Sequence, residues 1–186
     1  IFKKQENDHS PNNELNFKID KKNEENYLSQ KLESEKGIRI LIDKVLSSKS
    51  VSIDYLISES NSYISFCLST KISYYVNFNL KDISHTLNLF KEIFESKILK
   101  IIYDHKHFLK ILKANKINID DNFFDIKIAN YLIDSSRRDD LESILKLNIN
   151  AEISENQIHT RVSHIRKTYE LLFDSLKLNG LIDLFL

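Results

Sequence analysis

Glycine is almost absent from this sequence, which has only Gly37 and Gly180 among its 186 residues. A dinucleotide-binding fingerprint and a phosphate-cradling P-loop both need several closely spaced glycines, so both are excluded. The one cysteine, Cys67, cannot form an internal disulfide and stands in an apolar, strand-like run. A buried, unreactive thiol in a reducing cytoplasm is the expected interpretation of such a position.

An excess of charge of either sign is also missing. Lysine and arginine together number 27, and so do aspartate and glutamate, which gives a formal net charge of zero. Because phosphate contacts dominate the affinity for nucleic acids, this balance argues against strong autonomous binding of DNA or RNA. No apolar run approaches the roughly 20 residues of a membrane span. We therefore expect a cytoplasmic protein without a membrane partner.

The first part of the chain, residues 1–36, is polar and contains few apolar clusters. Such a composition cannot bury enough surface to offset the entropy cost of ordering. We expect this stretch to be a linker from a preceding domain, with a transient helix near residues 27–32. A tail that docks on a missing neighbour is the alternative. Residues 37–186 should form the folded domain.

The pattern of the folded part predicts an α/β domain. After a short helix over residues 38–46, three stretches rich in β-branched and aromatic residues predict an antiparallel meander over residues 51–57, 63–68 and 72–78. A helix over residues 83–94 and a buried strand over 98–103 follow, which suggests a parallel crossover. Further helices are predicted over residues 105–115, 124–133, 140–147 and 158–176, with a stop at Gly180.

Two neighbouring segments carry a more specific signal. Residues 100–119 place Asp104 after an apolar strand and Phe108 four residues later, and residues 124–134 begin with Phe-Asp and end with Tyr-Leu-Ile-Asp. Together they resemble the second exonuclease motif, and the helix after it, in the proofreading domain of bacterial DNA polymerase I. The resemblance covers about residues 37–186. It implies a ribonuclease H-like mixed sheet, with three antiparallel strands plus parallel strands, flanked by helices.

The resemblance also assigns residues to the first two motifs of the exonuclease site. Active members of this family bind two divalent metals through four carboxylates on three motifs, and a tyrosine helps to orient the attacking water. Here Asp54 takes the aspartate position of the first motif, but Leu56 takes the glutamate position. In the second motif, Asp104 takes the earlier Asn-or-Asp position and Phe108 the metal-ligand position. Phe108 lies on the apolar stripe of the predicted helix, so we expect it to be packed in the core.

The third motif, on the last helix, has Val162 at the tyrosine position and Arg166 at the aspartate position. Three of the four family carboxylates and the tyrosine are thus replaced, and Asp54 alone cannot hold two Mg²⁺ ions. The resemblance implies no catalytic residues, no metal and no cofactor. We expect a vestigial domain that links the 5′-nuclease and polymerase domains of a DNA polymerase I in replication and repair, with weak DNA contact at most.

Two other functions stay open. A working metal-dependent 3′–5′ exonuclease, for proofreading or similar to RNase D, would bring two or more further carboxylates to Asp54, with Asp104 as the first candidate. An interaction module would instead use a vacated cleft lined by Leu56 and Phe108.

Charged and metal-ligating side chains outside these motifs give weaker signals. The three lysines at helical spacing in the predicted helix over 105–115 suit a solvated helix face, which we favour, or contact with a DNA backbone; they are Lys106, Lys110 and Lys113. The six histidines contain no pair spaced by four residues, so no zinc site is expected.

Overall fold

The computed structural model describes residues 27–153 and 159–185. Within these ranges the strands are β1 (Leu28–Lys31), β2 (Ser50–Leu56), β3 (Ser62–Ser69), β4 (Ile72–Phe78), β5 (Leu99–Ile102) and β6 (Phe123–Asp125). The helices are α1 (Glu35–Leu46), α2 (Ile83–Leu89), α3 (Lys91–Glu95), α4 (His105–Ala114), α5 (Ile126–Ile133), α6 (Leu141–Ile149), α7 (Arg161–Leu178) and α8 (Ile182–Phe185).

The strands form one mixed sheet in the order β1-β4-β3-β2-β5-β6. The central strands β2, β3 and β4 pair antiparallel, as the meander prediction required. The parallel pairing of β5 with β2 confirms the predicted crossover, and β6 adds a second parallel strand beside β5. Helices cover both faces, so the predicted ribonuclease H-like α/β architecture is confirmed.

Strand β2 divides its side chains between the two faces because successive residues of a strand point in opposite directions. Val51 and Ile53 face a core shared with the helices from α1 to α4. Ser52 and Asp54 point the other way, towards α7, which contacts β2, β3 and β5. A second apolar core on that face, built from β5, β6 and helices α5 to α8, lies beside this polar part of β2.

The prediction of a helix near residues 27–32 is wrong, because β1 lies there and pairs parallel with β4. The backbone N–H of Leu28 donates to the carbonyl of Lys71 at 3.0 Å, and that of Leu32 donates to the carbonyl of Tyr75 at 2.8 Å. The open edge of β4 thus supplies the hydrogen-bond partners for this segment as a strand. The linker predicted for residues 1–36 therefore includes a strand of the sheet and the first two residues of α1; residues 1–26 lie outside the described residues.

A second difference concerns the segment predicted as a helix over residues 124–133. Its first residues form β6, and α5 begins only at Ile126. The carboxylate of Asp125 caps this helix, since it accepts hydrogen bonds from the backbone N–H groups of Lys127 at 2.8 Å and Ile128 at 3.4 Å. An N-cap residue has extended backbone, so the strand and the helix meet at Asp125.

The helix predicted over residues 83–94 is divided into α2 and α3 at Phe90, whose ring packs at 4.6 Å from that of Phe66 on β3. The last predicted helix is present as α7, although Ile158 of that prediction lies outside the described residues. Gly180 ends it with a φ of 67°, the left-handed conformation that favours glycine. None of the helices in the described ranges combines the length and the apolar character that a membrane span requires.

Candidate active site

Asp54 is the centre of the candidate site and is only 4% exposed on β2. Both of its carboxylate oxygens accept hydrogen bonds from one guanidinium, that of Arg161 at the start of α7. The Nε of Arg161 lies 2.8 Å from Oδ2, and its Nη2 lies 2.9 Å from Oδ1. This is the bidentate geometry of a strong arginine–carboxylate pair.

Two further hydrogen bonds complete this ion pair. The hydroxyl of Tyr63 donates to Oδ2 of Asp54 at 3.1 Å, and Nη2 of Arg161 donates to the carbonyl of Tyr55 at 3.2 Å. Burial raises the pKa of Tyr63 and so does the charge of Asp54, which keeps this phenol a hydrogen-bond donor. Burial alone would lower the pKa of Arg161, but the charge of Asp54 and the bonds to it raise that pKa overall. The guanidinium of Arg161 therefore stays protonated at neutral pH.

Leu56 lies near the end of β2, opposite Tyr63 of β3 in the antiparallel register. It is half-buried and has no polar atom in its side chain with which to bind a cation. The position next to Asp54 on this face of the strand therefore presents an apolar surface.

Asp104 lies at the start of α4, and both of its carboxylate oxygens have partners nearby. It adopts a left-handed backbone conformation with a φ of 56°, and its side chain caps the helix by accepting from the N–H of His107 at 3.1 Å. Its other oxygen lies 3.4 Å from Nζ of Lys127, which also lies 3.2 Å from a carboxylate oxygen of Asp139. Lys127 thus bridges the carboxylates of Asp104 and Asp139.

Phe108 is 1% exposed and belongs to the core under α1 to α4. Its ring lies 4.8 Å from that of Tyr55 and 5.6 Å from that of Phe94. The expectation that Phe108 is packed in the core is confirmed. Because its side chain is covered, Phe108 does not line an open cleft. The interaction-module hypothesis required such a cleft, lined by Leu56 and Phe108.

The hydroxyl of Tyr55 lies 2.7 Å from Nδ1 of His107 and so connects the strand of Asp54 to the helix of Asp104. Burial raises the pKa of Tyr55, and the charges of Asp104 and Asp54 add to this effect. Tyr55 is therefore a neutral phenol packed between the two motif positions.

Neither of the two residues predicted for the third motif has a side-chain oxygen that could bind a metal. Val162 is fully buried, and Nη1 of Arg166 donates to Oγ of Ser50 at 2.8 Å. Ser50 begins β2, four residues before Asp54, which is roughly 13 Å along a strand. Since α7 runs antiparallel to β2, the residue that reaches Asp54 is Arg161, five residues before Arg166, and sequence reasoning missed it.

In residues 27–153 and 159–185, no group of three or more His, Cys, Asp and Glu side chains is arranged to hold a metal ion. His159 lies beside the site, but its ring stacks on Tyr75 at 3.8 Å and meets the edge of Tyr63 at 4.7 Å. Burial lowers the pKa of His159, so this ring is neutral at pH 7.

The mixed sheet and its covering helices define a ribonuclease H-like fold, with Asp54 near the end of β2. Residues 58–159, more than half of the chain, match the family described as DNA polymerase I, ribonuclease H-like domain. The chain therefore belongs to this family. The match includes Asp104 and Phe108, whereas Asp54 and Arg161 lie just outside it.

Solved structures with the same fold include RNases and polymerases. Trypanosoma brucei RNase D is 12% identical with a TM-score of 0.63, over 80% of this chain and 65% of that one. Brucella melitensis NrnC with bound Mg²⁺ is 14% identical with a TM-score of 0.57, over 83% of each chain. The POL domain of Pol1 from M. smegmatis, in complex with DNA primer-template and dNTP, is 10% identical with a TM-score of 0.66, over 83% of this chain and 29% of that one.

At these identities the likeness establishes the fold alone. The chain spans 65% of the length of the RNase D structure and 49% of that of the Trypanosoma brucei RRP6 catalytic core. No curated protein has a sequence that matches this chain.

Proposed function

We propose that this chain is a non-catalytic 3′–5′ exonuclease-like domain of a DNA polymerase I, with a structural role between the 5′-nuclease and polymerase domains. The observation that carries the proposal is the bidentate ion pair between Arg161 and Asp54. By the resemblance, the aspartate of the first motif is a metal ligand in active members of the family, and here Arg161 uses both oxygens of that carboxylate.

Electrostatics favours the arginine over a metal at this position. A divalent cation about 4 Å from the guanidinium would be repelled by on the order of 8 kcal/mol at an effective dielectric constant of about 20. Mg²⁺ also loses its water reluctantly and needs several hard oxygen ligands in octahedral geometry. Asp54 would have to release Arg161 before it could offer even one such ligand.

The neighbouring motif positions support the same conclusion. Leu56 offers no oxygen, and Phe108 is held in the apolar core by aromatic contacts with Tyr55 and Phe94. Two metal ions close together need bridging anions to offset their repulsion. The remaining carboxylate, Asp104, is bound to Lys127 and to the N-terminus of α4.

A structural role in a longer polymerase is supported by the family membership. The chain corresponds to 29% of the Pol1 structure from M. smegmatis, so a domain of this fold forms part of a much larger polymerase chain there. We propose the same place for this domain in a cytoplasmic DNA-directed DNA polymerase that acts in replication and repair. Its partners are then the flanking domains of its own chain, with residues before β1 leading to the 5′-nuclease domain.

A metal-dependent 3′–5′ exonuclease is the second candidate, because the fold is shared with the Mg²⁺-bound NrnC and Asp54 is retained. Such an enzyme would need Arg161 to swing away and further carboxylates to approach. One acidic residue close to Arg161 in the sequence is Glu155, which lies outside the described residues.

A digestion assay tests the proposal. The chain is incubated with 5′-labelled single-stranded DNA and with Mg²⁺ or Mn²⁺, and products are resolved on a sequencing gel. We expect no shortening above the background of an Asp54→Asn variant prepared in parallel. Metal-dependent shortening by the wild-type chain that disappears in Asp54→Asn would refute the non-catalytic role. A chelator lane controls for metal dependence, and an unrelated exonuclease confirms that the substrate can be cut.

A further inference from the structure

The outer face of α4 carries a row of lysines that the exonuclease motifs do not use. Lys106, Lys110 and Lys113 are all exposed and recur at spacings of four and three residues. At 3.6 residues per turn they fall within an arc of roughly 60° on the helix. Phe108 and Leu112 are buried on the opposite side, so the core fixes the direction in which the lysines point.

Several cations of the domain are neutralised by carboxylates, and these three lysines are not among them in the described residues. Arg39 pairs with Asp43 and Glu92, and Lys127 pairs with two aspartates. In the part of the chain that the structure describes, none of the three α4 lysines forms an ion pair.

The segment around α4 is locally basic, although the chain as a whole has no net charge. Residues 105–119 contain four lysines and no acidic residue, although acidic and basic residues are equal in number over the full sequence. The fourth lysine, Lys116, is also exposed and follows the end of the helix. This surface therefore concentrates positive charge that the net charge does not reveal.

The row begins beside the candidate site. His107, next to Lys106, bonds to the hydroxyl of Tyr55, the neighbour of Asp54 in β2. From there the lysines lead along α4 towards Ala114, over a length of roughly 10 Å from the first to the third.

We propose that this face of α4, named here the α4 lysine row and made of Lys106, Lys110 and Lys113, binds the phosphate backbone of DNA. The inference rests on the proposed non-catalytic function, because the DNA would be held without being cut. A linear row of single cations on flexible stems neutralises consecutive phosphates, each contact releasing counterions. An acidic protein is a poorer fit, because lysine is depleted in protein interfaces, which rely on aromatic and apolar anchors.

Binding through so few phosphates is weak and independent of sequence. The zero net charge of the chain adds no long-range attraction. The α4 lysine row therefore suits a domain that steadies DNA already held by a neighbouring polymerase, where the local DNA concentration is high.

Fluorescence anisotropy with a labelled DNA duplex of roughly 20 base pairs, at salt concentrations from about 50 to 200 mM, tests the proposal. The measurements are made with EDTA, so that a hidden nuclease could not remove the probe. One variant changes Lys106, Lys110 and Lys113 to Gln. A matched control changes three other exposed lysines, Lys36, Lys49 and Lys71, to Gln and so alters the net charge equally.

We expect the row variant to bind about tenfold more weakly or worse, with the slope of log affinity against log salt reduced by about 2.7, because each phosphate contact contributes about 0.9. The control should bind nearly as the wild-type chain does. Equal losses in both variants, no binding at low salt, or equally strong competition by poly-glutamate would each overturn the proposal. Loss of the DNA-binding proposal would leave the result of the digestion assay unchanged. Loss of the non-catalytic role would instead appear in that assay, as Mg²⁺-dependent shortening of the DNA.

Discussion

Replacing Phe108 with aspartate should lower the free energy of unfolding by roughly 4 kcal/mol or more, and could leave the chain unfolded. Removing a buried phenylalanine costs about 3–5 kcal/mol by itself. The new carboxyl group would be placed between the rings of Tyr55 and Phe94 without a partner, which adds the cost of burying a polar group. Urea denaturation followed by circular dichroism measures the change.

Two comparison variants show whether burial is the cause. Phe108→Leu keeps an apolar side chain and should lose only about 1 kcal/mol. Lys110→Asp places the same acid on the exposed side of the same helix and should change stability by about 0.5 kcal/mol or less. If Phe108→Asp were as stable as the Lys110 variant, the assignment of Phe108 to the core would be wrong. The Asp variant should also gain no metal-dependent cleavage, because the other ligand positions remain replaced.

Replacing Arg161 with methionine should destabilise the fold by roughly 3–5 kcal/mol, because it leaves a buried carboxylate without its partner. Asp54 is 4% exposed, and the side chain of Arg161 is 22% exposed, so water can replace the guanidinium only in part. Tyr63 would then be the one remaining side-chain donor to Asp54 among the described residues.

The double variant Asp54→Asn, Arg161→Met should recover most of that loss, since neither a buried anion nor a buried cation remains. Arg39→Met removes an arginine that also pairs with two carboxylates, but its side chain is 53% exposed, so the loss should stay below about 1 kcal/mol. Equal losses for the Arg39 and Arg161 variants would contradict the view that the Asp54 pair is a buried structural element. Denaturant titration of the four proteins gives the comparison.

The central part of the fold could be predicted because local patterns determine it. Half of the residues in strands β2, β3 and β4 are β-branched or aromatic, and α7 has apolar residues at helical spacing, so both patterns are visible without knowledge of the rest. The two outer strands could not be found in this way. β1 is a short strand of four exposed residues that pairs with the free edge of β4, and β6 is a three-residue strand beside β5.

The site was predictable to the extent that it depends on single positions. Asp54 and Phe108 were identified from the motifs, and the apolar stripe of α4 indicated the burial of Phe108. The contact between Arg161 and Asp54 could not be predicted, because the two residues are 107 positions apart in the sequence. A charged residue one position before the apolar stripe of a long helix is ordinary in sequence, and only the direction of α7 along β2 brings it to Asp54. Lys127, which pairs with Asp104, was missed for the same reason.

The most direct measurement of the central claim is a crystal of this chain soaked in Mn²⁺, with the metal located by its anomalous scattering. Because Arg161 uses both oxygens of Asp54, we expect no anomalous peak beside that carboxylate and an unchanged bidentate ion pair. Two peaks about 4 Å apart next to Asp54, with Arg161 displaced and other carboxylates turned towards the metals, would contradict the non-catalytic account.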